Sequence, residues 1–257
     1  MSFGHVFDGY CVIHSPHVTG NRRRHFEAEL SRVDVRNYAV MEAPTIDDQD
    51  SRLLQYHRKK KLHAKRMLSL SEAHIKCVEL AEINGFENVV IMEDDIVFRN
   101  EFYAWWQEVE GEITQIDWDV LFLYRWGTKL LTEPTGRVTL IPITHNICMH
   151  CFVVRENIYL VYKAAIHNTI QKGHAVDSVT TLDFLRQNNV RFFATTRNLA
   201  GQAGGFSSSV FEISRVSSME DMFRIKDPRI IYRWLGWINK VIRKVIRCVA
   251  ALGGKAD

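Results

Sequence analysis

Three consecutive acids, Glu93, Asp94 and Asp95, interrupt a run of apolar and β-branched residues over 89–98. The flanking residues are typical of a buried strand, where unpaired carboxylates are rare. Three carboxylates at one strand end repel each other, and a divalent cation such as Mn²⁺ or Mg²⁺ bound with a diphosphate would relieve the repulsion. A simple turn at Asp94 and Asp95 is the open alternative. The triplet is therefore the first candidate for a metal site.

A second group of charged candidates lies near the start of the chain. Arginines occupy residues 22–24, directly after a first predicted strand at 7–14. Asn21 can cap a helix there, and cations in its first turn oppose the helix dipole. Binding of a nucleotide diphosphate by Arg22 and Arg23 would explain these residues, and a solvated basic turn is the alternative.

One histidine lies on the helix that leads to the acids. A capping-box pattern at residues 69–72 predicts where this helix begins, and Gly85 predicts where it ends. His74 lies in its first turns, on the face shared with Val78. A buried, hydrogen-bonded histidine is the ordinary explanation for that position.

Two other patterns suggest ligand sites and are weaker. His145, Cys148, His150 and Cys151 resemble zinc ligands, but a single Cys-x-x-Cys without a second pair, in the alternating context of a strand, argues against zinc. The glycine- and serine-rich stretch 201–209 lacks the lysine and the following helix of a phosphate-binding P-loop. We therefore interpret it as a flexible loop.

The periodicity of the whole chain predicts the frame that positions these residues. Strand patterns alternate with helix patterns, which favours an α/β fold with a mostly parallel sheet flanked by helices. In such sheets ligands bind at the carboxyl ends of strands, where the acids lie. The predicted strands cover residues 7–14, 37–41, 89–98, 118–124, 138–141, 147–154 and, as the last, 190–194.

The charge of the chain is concentrated at its end. The net charge of the 257 residues is +3, but residues 222–257 carry +7 and residues 1–221 carry −4. Within this tail a predicted amphipathic helix begins at Ile230 and ends at Leu252, with basic residues on one face and aliphatic residues on the other. Such a helix is typical of an anionic membrane surface, and docking on the protein's own core is the alternative. We expect a catalytic domain over residues 1–221 and this tail as a separate segment.

Composition limits the compartment and the partners. A chain that is 46% hydrophobic and 25% charged is an ordinary globular protein. The five scattered cysteines favour a reducing compartment, and no signal peptide or spanning segment is predicted. The basic run at 57–66 has few interleaved aromatic residues, so we expect no nucleic-acid partner. These features predict a cytoplasmic protein, peripheral on the cytosolic face of the inner membrane.

Several stretches, taken in order, resemble glycosyltransferase family 25, which includes the bacterial lipooligosaccharide galactosyltransferases. The most specific is a Ser-His helix, residues 70–74, followed by an apolar strand and Glu-Asp-Asp at 89–96. Weaker similarities are the arginine-rich helix start, residues 118–121 before Gly127, Thr144-His145, residues 175–177, and Gln202 with the serines beyond it.

The resemblance implies a GT-A-like (Rossmann-like) fold and a nucleotide-sugar donor, with UDP-galactose favoured. It also implies inversion at the anomeric carbon and a lipid-linked oligosaccharide acceptor. Asp95 would hold Mn²⁺ or Mg²⁺ against the donor diphosphate, Glu93 would contact ribose or assist the metal, and His145 would be a further metal or phosphate ligand. The remaining donor contacts would come from Asp94, Arg22, Arg23, His74 and Gln202.

Inversion requires a general base that accepts the proton of the acceptor hydroxyl. Asp177 corresponds to the family's aspartate in this role, with Asp183 as the second choice. An N-cap for the helix that follows is the structural alternative for Asp177. A metal-dependent phosphoesterase or nucleotidyltransferase, or a non-catalytic membrane-binding module, are the other functions that remain open from the sequence.

Overall fold

The computed structural model describes residues 2–16, 21–57, 59–125, 137–144, 146 and 149–203. The strands are β1 (Gly9–His14), β2 (Ala39–Glu42), β3 (Asn88–Glu93), β4 (Ile96–Phe98), β5 (Val120–Phe122), β6 (Leu140–Pro142), β7 (Cys151–Arg155), β8 (Phe192–Thr195) and β9 (Ala200–Gln202). The helices are α1 (Arg22–Arg32), α2 (Lys61–Asn84), α3 (Phe102–Ile113), α4 (Tyr159–Gln171) and α5 (Val179–Gln187), and short 3-10 helices occur at Phe3–His5, Ser51–Tyr56 and Glu156–Ile158.

The main sheet of the described residues has seven strands in the order β2-β1-β3-β7-β5-β8-β6. Five of them, β1, β2, β3, β5 and β8, run in one direction, while β6 and β7 run against them. The prediction of a mostly parallel sheet flanked by helices is confirmed. We call the edge at which β1, β3, β5 and β8 end, and at which β7 begins, the carboxyl edge.

Apolar side chains cover both faces of this sheet. Alternate residues point to opposite faces, so Ile91 belongs to one buried cluster and Val90 to the other. Helices α2, α4 and α5 supply the first cluster, and α1 and α3 supply the second. Fully burying one such aliphatic side chain stabilises the fold by about 1.5–3 kcal/mol. The core therefore holds the carboxyl edge in place from both sides.

The strand predicted over 89–98 is divided into two strands by the acids. Glu93 is the last residue of β3, Asp94 and Asp95 form a turn, and β4 follows. Strand β4 leaves the main sheet and pairs antiparallel with β9. The prediction that 190–194 is the last strand is therefore wrong, as is the prediction of a loop at Gly201 and Gln202. Strand β9 has no apolar alternation that would predict a strand. Its pairing with β4 determines its conformation instead.

Helix α2 is longer than its capping-box pattern predicts. It begins at Lys61, and Ser69 lies inside it, with its hydroxyl donating to the carbonyl oxygen of Pro44 at 2.6 Å. The predicted start at residues 69–72 is therefore wrong, because that serine makes a tertiary contact rather than an N-cap. Gly85 ends the helix in the left-handed conformation, at a φ of 65°, as predicted. Residues 204–257, with the predicted tail helix, lie outside the described residues.

Candidate active site

Glu93 and His150 face each other across neighbouring strands at the carboxyl edge. The backbone N–H of Glu93 donates to the carbonyl of His150 at 3.0 Å, which continues the β3–β7 ladder by one residue. The His150 Nδ1 atom lies 2.9 Å from the Glu93 Oε1 atom. Burial raises the pKa of Glu93, the nearby imidazole opposes that shift, and Asp95 and Asp177 add to it. The strand pairing thus builds a buried acid and imidazole into one site.

Asp95 completes a group with the donor set of a metal site. One ligand atom from each of Glu93, Asp95 and His150 lies within 4.8 Å of the other two. Asp95 is 3% exposed, and its Oδ1 atom makes no hydrogen bond to any described residue. A buried carboxylate oxygen without a partner is costly, and a cation would satisfy it. Two carboxylates fit Mg²⁺ or Mn²⁺, and the additional imidazole makes Mn²⁺ the better fit.

Asp94 is held by contacts inside the protein. Its carboxylate forms an ion pair with Arg22 and accepts hydrogen bonds from His14 Nδ1 at 2.7 Å and from the Ser15 backbone N–H at 2.9 Å. Arg22 is 3% exposed, and its Nη2 atom also lies 3.7 Å from Asp95 Oδ2. This ion pair explains a cation at the start of α1. The roles of Arg22 and Asp94 in donor binding stay predictions.

Gln202 and Arg23 lie in different surroundings. The pairing of β9 with β4 brings the Gln202 amide to Asp95, and its Nε2 donates to Asp95 Oδ2 at 2.8 Å. Arg23 is mostly exposed on α1 and pairs with Glu27 at 3.0 Å. Gln202 therefore belongs to the acidic site. Arg23 is exposed to solvent and makes its ion pair within α1, apart from the buried contacts of that site.

His74 lies beneath the site and is completely buried. Its Nδ1 atom is 3.1 Å from the Tyr162 hydroxyl, and its ring stacks on Phe152 with centroids 5.8 Å apart. Burial, together with the nearby His150, lowers the pKa of His74 to about 3. The ring is therefore neutral at physiological pH. These contacts agree with the ordinary explanation of a buried, hydrogen-bonded histidine.

Asp177 lies close enough to the acidic site to interact with it electrostatically. Burial raises the pKa of its carboxyl group, His150 opposes that shift, and Asp177 in turn raises the pKa of Glu93. Ser178, not Asp177, occupies the N-cap position of α5, so the alternative N-cap role of Asp177 is wrong. Asp183 is half exposed and lies 3.7 Å from Arg186 on the same helix. The predicted base is thus brought to the site, while the second choice is on the surface of α5.

The sequence analysis missed His150 as a partner of the acids. Its imidazole also lies beside the Tyr124 ring, at a centroid separation of 6.1 Å. Cys151, which forms the weak zinc pattern with it, is buried in the apolar cluster on the opposite face of the sheet, in agreement with the argument against zinc. His145 and Cys148 lie outside the described residues. Among the described residues, His150 joins the carboxylates rather than a cysteine cluster.

A comparison with protein families identifies the chain. The model for glycosyltransferase family 25 (LPS biosynthesis protein) matches residues 14–176, well over half of the chain. The chain belongs to glycosyltransferase family 25. The matched region includes the acidic triplet and His150, and it ends one residue before Asp177. Family 25 membership makes the protein a transferase of glycosyl groups and confirms the resemblance inferred from the sequence.

Two of the solved structures that resemble this family 25 chain do so only distantly. A197 from STIV is 8% identical with a TM-score of 0.40, covering 72% of this chain and 81% of that one. A glycosyltransferase involved in the glycosylation of the major capsid of PBCV-1 is 11% identical with a TM-score of 0.34, covering 63% and 67%. No curated protein sequence gives a match. Neither structural likeness is close enough to support an argument about the site.

The helices that the structure describes in this family 25 chain are short or polar relative to a membrane span. A spanning helix requires about 20 consecutive, mainly apolar residues. None of the helices in the described part of the chain is both long and apolar enough to cross a membrane.

Proposed function

We propose that this protein is an inverting, metal-assisted hexosyltransferase. Its favoured donor is UDP-galactose, and its acceptor is a lipid-linked saccharide such as lipooligosaccharide. The observation that carries the proposal is the group formed by Glu93, Asp95 and His150 at the carboxyl edge, with Asp177 alongside. Membership of family 25 supports the same reaction class.

Three residues of this group would bind the cation. Glu93, Asp95 and His150 would hold Mn²⁺ or Mg²⁺ next to the donor diphosphate. When bound, the cation supplies positive charge that stabilises the departing nucleoside diphosphate. The Gln202 amide holds one oxygen of Asp95 at 2.8 Å and so leaves the other oxygen for the ion.

Asp177 would act on the other reactant. Its carboxylate would accept the proton of the acceptor hydroxyl as that oxygen attacks the anomeric carbon from the face opposite to the diphosphate. A carboxyl group with a raised pKa is a better proton acceptor than an ordinary exposed aspartate. Attack from the opposite face inverts the configuration at that carbon.

Analysis of the products tests this reaction. With Mn²⁺ and acceptor present, UDP-galactose should yield free UDP and a galactosylated acceptor, because the bond that breaks joins the sugar carbon to the diphosphate. Excess chelator should abolish the reaction, and Mn²⁺ should restore it better than Mg²⁺ because of the His150 ligand. Chromatographic detection of UMP and galactose phosphate instead would identify a phosphoesterase or nucleotidyltransferase. Full activity in chelator would refute the metal role.

The tail is proposed to hold the enzyme on the cytosolic face of the inner membrane. Its basic face should bind anionic vesicles, and binding should weaken as salt rises because exposed charges are screened. Replacement of Lys240, Arg243 and Arg247 by serine should release the full chain from vesicles in a sedimentation assay. A variant with Lys172→Ser, in the described domain, serves as the control. Binding that is insensitive to salt and to the tail substitutions would reject this role.

A further inference from the structure

Arg125 is a positioned cation at the carboxyl edge that the proposed reaction does not use. It follows β5, and its backbone N–H and carbonyl are both bonded to the Asn198 side chain at 3.1 Å. Its guanidinium donates from Nε to the carbonyl of Thr195 at 2.7 Å and from Nη2 to the carbonyl of Thr196. These bonds fix the direction of the side chain at the end of β8.

No carboxylate among the described residues pairs with Arg125. In contrast, Arg22 is buried against Asp94, and Arg191 lies 2.6 Å from Asp119. Burial lowers the pKa of Arg125 from its ordinary value, and no acid in the described part of the chain opposes the shift. Carbonyl groups satisfy hydrogen-bond donors but do not neutralise the positive charge, which has no counter-ion among the described residues. A partly desolvated charge of this kind is costly, and a bound anion would remove that cost.

The position of Arg125 indicates which anion it would meet. Strand β7 lies between β3 and β5, and β8 follows β5, so the guanidinium of Arg125 lies two to three strands from Glu93, roughly 10–15 Å along the carboxyl edge. The Tyr124 ring, one residue earlier, contacts the His150 imidazole between the two positions. Thr195, whose carbonyl holds Arg125, also has a buried hydroxyl without a hydrogen bond to any described residue. Arg125 therefore lies on the same edge of the sheet as the site assigned to the donor diphosphate.

We infer that Arg125 binds an anionic group, a carboxylate or a phosphate, on the saccharide acceptor. This inference rests on the proposed function, since it assigns the donor diphosphate to Glu93, Asp95 and His150. The acceptor then approaches along the same edge from the side of β5 and β8. The inferred acceptors of the enzyme are therefore acidic saccharides, such as those that carry a uronic acid or a phosphate, rather than saccharides in general.

Binding measurements on the full chain test the inference. Isothermal titration should give the affinities of inorganic phosphate and of glucuronate, with glucose as the neutral counterpart of glucuronate, each with and without saturating UDP and Mn²⁺. Wild type should bind both anions in the presence of UDP, and glucuronate at least about tenfold more tightly than glucose. Arg125→Gln should weaken both anions by about ten- to a hundredfold, the typical effect of losing a hydrogen bond to a charged group. The glutamine amide can still donate to one of the carbonyls.

Two controls separate the possible outcomes. The affinity for UDP should stay within about twofold in Arg125→Gln, and Arg36→Gln, at an exposed arginine, should change no affinity. Displacement of phosphate by UDP would assign the anion site to the donor and overturn the inference. Equal anion affinity in wild type and Arg125→Gln would also overturn it. If Arg125→Gln does not fold, the preference of wild type for glucuronate over glucose decides, and no preference overturns the inference.

The proposed function fails by a different measurement. Absence of UDP release from UDP-galactose in wild type would reject galactosyl transfer from UDP, whatever the anion affinities are. Normal UDP release with no effect of Arg125→Gln on anion binding would reject the acidic acceptor alone. The two failures are therefore distinguishable.

Discussion

Asp95→Asn is expected to lower the rate of sugar transfer by roughly 10²–10³-fold, because Asp95 would hold the cation that stabilises the negative charge developing on the diphosphate. The substitution keeps an oxygen that can accept the hydrogen bond from the Gln202 amide. It removes the charge beside the unpaired Oδ1 position, where the cation would bind. Affinity for Mn²⁺ should fall, and the enhancement of donor binding by Mn²⁺ should disappear. Calorimetric titration with Mn²⁺, with and without UDP, measures both effects.

The fold of the Asp95→Asn variant should be preserved. Three carboxylates lie close together at this turn, and the loss of one charge reduces their mutual repulsion in the metal-free protein. The unfolding temperature without metal should therefore be unchanged or higher. Asp48→Asn, at an exposed acid paired with Lys65, provides the same chemical change away from the site and should leave transfer intact. Wild-type turnover and metal affinity in Asp95→Asn would contradict the assignment of this site.

The position of the acids could be predicted from the sequence because local patterns determine it. A run of apolar, β-branched residues before Glu93 predicts a buried strand, and parallel α/β sheets bind ligands at carboxyl ends. The structure agrees, with Glu93 as the last residue of β3. What the local pattern could not give is the turn that sends Ile96 away from the main sheet toward Ala200. Strand pairs this distant are determined by tertiary packing.

His150 shows why the metal ligands could not all be predicted from the sequence. It precedes a strand that runs antiparallel to β3, and only this pairing brings it within 2.9 Å of Glu93. No local pattern indicates the direction of β7, and His150 occurs only within a weak zinc pattern that the strand context argues against. A histidine one residue before a buried strand that pairs with an acid-terminated strand is the signal that could have found it.

Long-range pairing also explains the position of Arg22 at the start of α1. Arg22 lies at a helix start, where a cation is unfavourable, and its ion pair with Asp94 explains why a cation occurs there. Its partner Asp94 is 72 residues away in the chain. The sequence suggested a diphosphate because it offers no means of matching two distant charges. The fold thus uses one acid of the triplet to anchor α1, while the other two face His150.

Asp177→Asn is expected to lower the transfer rate by about 10²–10⁴-fold, the usual contribution of a general base, while donor affinity stays within about twofold. The amide is nearly the same size but cannot accept the hydroxyl proton. Folding should be retained because Ser178, not Asp177, is the N-cap of α5. Steady-state kinetics together with UDP titration separates the loss of rate from a loss of binding. Asp183→Asn is the matched control, and a rate loss there with none in Asp177→Asn would reverse the assignment.

The dependence of the rate on pH gives an independent test of the same residue. A base must be deprotonated, and burial raises the pKa of Asp177 from its ordinary value. The wild-type rate should therefore rise with pH through that raised pKa and then level off. With an ordinary exposed aspartate as the base, the rise would occur at lower pH. Asp177→Asn should lose this rise, and Asp183→Asn should keep it. An unchanged acidic limb in Asp177→Asn would show that a different group, such as Glu93, controls the profile.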